Sequence, residues 1–396
     1  MAIRFGSAKL LNIDQAMALA LQSPKVARNR VADIVFGNQR NSFPRNIVLH
    51  LANRCNMACP MCSIGQARAD REDAYSGDMP FEIVQKAVTE AALHGAYIDL
   101  FGGEPTLYRQ LADAIRLIRD HKCLSFITTN GLSLERKAKE FVGEKLNVLL
   151  ISLDGWDEAS QFKRGLVPGS FKKIIDGVAA INKEKGDSLF PIIRISTVIT
   201  KENYQRLDDI AEVVYRMGVR DWSISNYFFI SDAGIRAFED FKSENMIGDK
   251  LMQNHVPGPI PYFDYNEVES LKSSLNRVKS LINGPMSDLR VSFDWDLDLH
   301  KYYSMQPPSR DSTCALPYQR VDIFPDGRIS ICGDGHTIGN IFTGTIKEAW
   351  AGDEMRRFRE VYEREKVLPM CFRCCGIAGA AGQLKFADGE TGEAQH

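Results

Sequence analysis

The chain of 396 residues has no apolar run near the roughly 20 residues that span a bilayer. Its start, MAIRFGSAKLLNIDQ, lacks the apolar core of an export signal. An excess of either charge is also missing: 49 Lys and Arg stand against 51 Asp and Glu, for a net charge of −2. These absences argue against a membrane protein, an exported protein and a binder of nucleic acid through a basic surface. No internal repeat is evident. The expected location is cytoplasmic, where thiols stay reduced.

What the sequence does have is cysteine in groups. There are nine. Where disulfides are not expected, clustered thiols point to metal or redox chemistry. Cys55, Cys59 and Cys62 lie within CNMACPMC, and Cys314, Cys332, Cys371, Cys374 and Cys375 form a second group. Cys123 stands alone and reads as a small buried hydrophobe beside a strand.

Between residues 46 and 226, short apolar strands alternate with periodic helices. The strands read NIVLHLA, YIDLF, LSFITT, NVLLISL, IIRISTVI and DWSISN. This rhythm predicts a parallel α/β architecture with helices outside, a partial barrel of six β/α units. Residues 1–45 read as an N-terminal helical arm, either a packing arm with a solvated basic face or an arm that faces the substrate. Residues 227–313 read as a bridging region, 314–376 as a small α+β cysteine-bearing unit, and 377–396 as a mobile polar tail.

A closed zinc site and a [4Fe–4S] cluster both want four ligands. The spacing C-x3-C-x2-C supplies three. Either a distant fourth ligand completes a zinc site, or one iron of a cluster is left open for a substrate or cofactor. Context separates these. The triplet follows the first strand, FGGEPT the second, TTNG the third, and SLDG the fourth. In a parallel barrel these strand ends share the face that carries the active site. Each motif alone could be turn chemistry; four in register are hard to explain that way.

Together, CNMACPMC, GGEP and SLDG resemble the radical S-adenosylmethionine (radical SAM) enzymes, and the resemblance covers residues 46–226. It implies that Cys55, Cys59 and Cys62 hold a [4Fe–4S] cluster whose open iron chelates the amino and carboxylate groups of S-adenosyl-L-methionine. It assigns the amino group to GGEP (Gly102, Gly103, Glu104 and Pro105). Thr129 and Asn130 of TTNG, and Ser152 and Asp154 of SLDG, are then cofactor contacts at the methionine carboxylate or ribose. One position departs from the family: the residue before the third cysteine is often aromatic, and here it is Met61. The implied chemistry is reductive cleavage to a 5′-deoxyadenosyl radical that abstracts hydrogen from a substrate.

In the second group, CALPYQRVDIFPDGRISIC reads as a hairpin with a thiol at each end, followed by a helix and MCFRCC. A structural zinc site is the alternative here too. The run C…PDGRISIC, with GNIFTGTIKEAW after it, resembles the SPASM domain of radical SAM maturases. The further cysteines of a full SPASM domain are missing, so it is most similar to the shortened Twitch form. The resemblance implies one auxiliary [4Fe–4S] cluster on Cys314, Cys332, Cys371 and Cys374, with Cys375 the alternative to Cys374. Asp334 and His336, just after Cys332, are candidate catalytic bases. FDWDLDLH reads as a polar strand face or a hydroxyl- or amine-binding wall. The expected reaction is a two-electron oxidation of a small polyol or aminosugar, with the auxiliary cluster as electron acceptor. The alternatives are a peptide maturase, a redox-neutral radical SAM reaction and an iron–sulfur carrier. The expected partners are a small-molecule or peptide substrate and an external one-electron donor such as flavodoxin or ferredoxin.

Overall fold

The computed structural model describes residues 3–5, 8–36, 41–62, 77–228, 232–245, 263–304, 306–333, 335–374, 376–377 and 382–386. Asp334, Cys375 and most of the tail from residue 378 on therefore lie outside the described residues.

After a short hairpin, β1 (Ile3–Phe5) and β2 (Ala8–Leu11), come two helices, Ile13–Gln22 and Pro24–Phe36. Asn12 caps the first in a capping box with Gln15. Then six strands alternate with helices: β3 (Asn46–Ala52), β4 (Tyr97–Gly102), β5 (Ser125–Thr129), β6 (Val148–Ser152), β7 (Ile192–Val198) and β8 (Asp221–Ser225). All six pair in parallel and in sequence order. Along β4, β5 and β6 the residues alternate between buried and half-exposed. Ile98, Leu100, Ile127, Ile151 and Ile195 lie under the helices in the main core, and the other face opens on a lumen.

The N-terminal arm does more than cover a surface. Ala16, Leu19 and Val26 pack with Tyr97, Leu124, Val148 and Ile192, at or beside the first residues of four barrel strands. The arm is therefore a plug under the N-terminal end of the barrel. Cys123 is buried, and burial pushes its thiol up to about 12, so it is an inert core residue.

Both edges of the six-strand unit are extended. β9 (Arg290–Ser292), from the bridging region, pairs in parallel with β8. On the other edge, β11 (Arg320–Ile323) pairs in parallel with β3, and β12 (Arg328–Ile331) and β13 (His336–Asn340) continue outward antiparallel. The result is one ten-stranded sheet that runs from the barrel into the cysteine-bearing hairpin. The pair β10 (Thr313–Cys314) and β14 (Gly382–Gln383) stands apart from it.

FDWDLDLH is not a strand. β9 stops at Ser292 and a short helix, Leu299–Tyr303, begins in its place. Asp298 caps that helix by accepting from the Lys301 N–H at 3.1 Å. His300 stacks on Tyr265 at 4.5 Å and meets Glu269 at 2.6 Å. Helix capping overrides the alternating pattern there.

Candidate active site

The CNMACPMC segment leaves the end of β3. Cys55 and Cys59 are 8% and 7% exposed, and Cys62 is half-buried beside them. The Met57 N–H points at Cys55 Sγ (3.4 Å), and the Cys62 N–H bonds to the Cys59 carbonyl (3.0 Å). Burial raises both buried thiols. Cys55 is raised further by Glu104 and Cys62, and Cys59 by its two sister thiols. Among the described residues no three such ligands converge as a single-ion site. Three thiols that feel one another without meeting at a point suit a cubane, which takes one thiolate per iron.

The glycines of GGEP serve this segment. Gly102 adopts φ +126°, and a Cβ there would come within 2.5 Å of the Ala52 carbonyl. A Cβ on Gly103 would come within 2.4 Å of the Arg54 carbonyl. Only bare backbone fits, and it uses the proximity: Gly103 N–H bonds to Ala52 O (2.6 Å) and Glu104 N–H to Arg54 O (3.0 Å). The motif thus clamps the first residues of the thiol loop.

Glu104 is buried and its carboxylate is fully engaged. Oε1 accepts from Thr106 N–H (3.1 Å), Thr106 Oγ1 (2.6 Å) and Thr129 Oγ1 (2.6 Å), while Oε2 accepts from Asn130 N–H (2.8 Å). It is a bolt between the ends of β4 and β5. Pro105 opens the 3₁₀ turn Pro105–Leu107 that holds Thr106 in place. Asn130 turns its Nδ2 to Asn56 Oδ1 (2.7 Å) and to Cys55 Sγ (3.7 Å), so TTNG touches the thiol loop directly.

In SLDG, Asp154 is also engaged. Its Oδ1 accepts from Val198 N–H (2.8 Å), and its carboxylate is ion-paired with Arg164. Arg164 is a residue that no motif singled out. It lies in the last turn of the helix Glu158–Gly165, is half-buried, has no partner at Nε, and pulls the Cys59 thiol down against the effect of burial. The same helix end packs on the loop: a Cβ on Gly165 would strike Met57 Cε at 2.2 Å.

In the second cysteine group, Cys332 follows β12 at φ 54°. Burial first, then Cys314 and Cys371, push its thiol far above the usual range. Burial pushes Cys371 up to about 11. The Gly376 N–H points at Cys374 Sγ (3.4 Å), and a Cβ on Gly376 would lie 3.0 Å from Cys314 Sγ. Cys332 thus feels Cys314 and Cys371, and Gly376 touches Cys314 and Cys374, so the four thiols share one small region. The Tyr362 hydroxyl accepts from Cys314 N–H (3.0 Å) and donates to its carbonyl (3.1 Å). Arg373, between Cys371 and Cys374, is fully buried and donates to the carbonyls of Tyr302 (2.5 Å), Gln306 (3.1 Å) and Lys301 (3.3 Å). It ties the thiol loop to the end of the helix Leu299–Tyr303. His336 lies at the start of β13, its ring buried and stacked on Phe358 at 5.0 Å.

The Radical SAM superfamily model matches residues 49–214, and the SPASM iron-sulfur cluster-binding domain model matches residues 314–375. The chain is a radical SAM enzyme with a C-terminal SPASM domain. Its cofactors are S-adenosylmethionine, a [4Fe–4S] cluster and an auxiliary iron–sulfur cluster, and the two thiol groups fit them. A Pyrococcus furiosus protein, the tungsten-containing aldehyde ferredoxin oxidoreductase cofactor-modifying protein, is 27% identical over 46% of this chain and 51% of its own length. The chain spans about half the length of the curated relatives it matches. Streptococcus suis SuiB bound to precursor peptide SuiA has a similar fold, with TM-score 0.59 and 17% identity over 89% of this chain and 75% of that one. So has native anSMEcpe with bound AdoMet, with TM-score 0.57 and 17% identity over 86% and 93%. Among the described residues, no helix is long and apolar enough to cross a membrane.

The register of the radical SAM barrel exposes a feature outside the motifs. Ser152 on β6 is level with Ser196 on β7, Ser196 with Ser223 on β8, and Ser223 with Ser292 on β9. Parallel neighbours in register point to the same face, and the opposite face here is the apolar one under the helices. Four hydroxyls therefore form a row along the lumen wall. Only Ser152 stood in a recognisable motif.

Proposed function

We propose that this radical SAM enzyme oxidises a polar substrate held in the barrel lumen by two electrons, with the auxiliary cluster on Cys314, Cys332, Cys371 and Cys374 as electron acceptor. When bound, S-adenosylmethionine and the first cluster supply a hydrogen-abstracting radical at the C-terminal ends of the strands. The chain's own residues do the rest. The serine row offers hydroxyls to polyol, amine or amide groups. Arg164, with an unpartnered Nε next to Cys59, suits the methionine carboxylate. Asp334 is the base read from the sequence.

The observation that carries the reading is the join between the two units. Cys332 feels the carboxylate of Asp322 on β11, and Asp322 is hydrogen-bonded to His50 on β3, inside the barrel unit. This join supports an electron acceptor seated against the barrel wall. A small polyol or aminosugar is the first substrate class. A peptide is the second, favoured by the similarity in fold to the peptide-bound SuiB.

The test uses reconstituted protein with a low-potential reductant, standing in for flavodoxin or ferredoxin, and S-adenosylmethionine. Aminocyclitols, sugars and short peptides are screened for deuterium transfer into 5′-deoxyadenosine. For a hit, Cys314→Ala/Cys332→Ala is expected to keep label transfer and lose the oxidised product. A normal product yield in that variant, or a product at the substrate's own oxidation level, overturns the reading.

A further inference from the structure

The floor of the lumen holds a charge that no described residue pairs with. Arg194 is on β7, two residues before Ser196 and on the same face, and is 3% exposed. Its Nε has no hydrogen-bond partner. No ion pair among the described residues includes it.

The carboxylate beside it is already taken. Asp221 on β8 is level with Arg194, as the pairing of Ile195 with Trp222 requires. Its oxygens accept from Arg290 Nε (2.9 Å) and Nη2 (2.6 Å), and from Gln15 Nε2 of the plug (3.0 Å). Two guanidinium groups thus face one carboxylate. Burial, offset by Asp221 and reinforced by Arg290, pulls the Arg194 guanidinium below its ordinary range. A buried cation with no partner is strongly unfavourable. Below Arg194, Ile192 packs against the apolar plug; above it stands the serine row. The chamber is the side from which a counter-ion can arrive.

We propose that Arg194 anchors an anionic group of the substrate, a carboxylate or a phosphate, at the floor of the lumen beneath the serines. A guanidinium presents a planar fork that matches two oxygens of either group. The hydroxyls of Ser196 and its neighbours then meet the uncharged part of the same molecule. The proposal rests on the lumen being the substrate chamber. It adds that the substrate is not neutral overall at this end.

The test is anion binding by the full-length reconstituted protein. Sodium acetate and sodium phosphate are titrated at constant ionic strength held with chloride, with melting temperature and calorimetric heat as readouts. The wild type is expected to bind at least one of the two saturably. Arg194→Met is expected to weaken that binding tenfold or more. Without added anion, the same variant should melt at the wild-type temperature or above, since the unbalanced cation is gone. A stronger response to phosphate assigns a phosphorylated substrate, and one to acetate a carboxylate. Equal binding by the variant, no binding by the wild type, or a lower melting temperature of the variant without anion overturns the proposal. None of these readouts needs cleavage of S-adenosylmethionine, so this proposal and the functional reading fail separately.

Discussion

The imidazole Nε2 of His50 lies 2.9 Å from Oδ1 of Asp322, and both residues are buried. Arg320 closes on the same carboxylate with Nε at 2.9 Å and Nη2 at 2.6 Å. His50 is sandwiched further, stacked on Phe324 at 4.3 Å and edge-on to Phe101 at 5.4 Å. One buried carboxylate thus joins the barrel to the hairpin of the SPASM domain.

Asp322 is held well below the usual carboxylate range. Burial alone would raise it; the charge of Arg320 and the hydrogen bonds from His50 and Arg320 outweigh burial. A lowered folded-state pKa gives stability that is fully present above the unfolded value, about 4, and lost as pH falls through the folded one. Asp322→Asn should therefore destabilise the protein by about 3–5 kcal/mol at neutral pH, the usual loss when a buried ion pair is broken. The gap between variant and wild type should narrow only in acid below the unfolded value. Melting curves between neutral pH and strong acid check this.

Asp99 has the opposite sign. It sits on β4, its Oδ1 has no partner, and burial pushes its carboxyl up to about 6 against the pull of Arg320, with Asp322 adding to the rise. A raised carboxyl favours the fold below the unfolded pKa, and that benefit is lost as pH rises through about 6. Asp99→Asn should then stabilise the protein at pH 7 by on the order of 3 kcal/mol, with no gain in acid below the unfolded value. A variant that melts lower than wild type at pH 7 would show that the carboxylate has a partner in solution.

Gly103→Ala tests the clamp on the thiol loop. Its Cβ would collide with the Arg54 carbonyl, which is backbone and cannot swing aside. The expected outcome is loss of about four irons per chain out of about eight, one cubane of two, while the SPASM site stays loaded. Iron counting together with electron paramagnetic resonance of the reduced protein distinguishes the two sites.

Arg373→Met should do the reverse. It removes every hydrogen bond from the loop between Cys371 and Cys374 to the carbonyls of Lys301, Tyr302 and Gln306. Each of those carbonyls loses a hydrogen bond from a charged donor, worth about 1.5–3 kcal/mol. The auxiliary iron should fall while reductive cleavage of S-adenosylmethionine persists. Equal loss at both sites would mean that the arginine supports the whole fold.

The parallel barrel was legible because each of its six strands is short, apolar and locally continuous, with a polar motif where it ends. The thiol triplet was legible because its ligands are neighbours in sequence. What could not be read was whatever depends on a partner far along the chain. The strand in DLRVSFDW was legible, but its pairing with β8 has no local signature, and neither has the pairing of β11 with β3. Arg164, Arg194 and Arg373 look like ordinary surface cations in sequence; burial beside thiols, lumen or carbonyls gives them their roles. Glu104 and Asp154 were visible as motif residues. Their carboxylates prove to be spent on neighbouring backbone and side chains, because four loops meeting over one cavity must first be fastened to one another.

The parallel pairing of β3 with β11 also governs how the gene can be cut. A fragment ending before the SPASM hairpin would present Asn46 to Leu49 as a bare strand margin, with a row of amide and carbonyl groups open to any other chain. Trimming to the barrel would thus yield a sticky template for sheet-to-sheet clumping, and ribosomes must release the hairpin before that margin is sheltered.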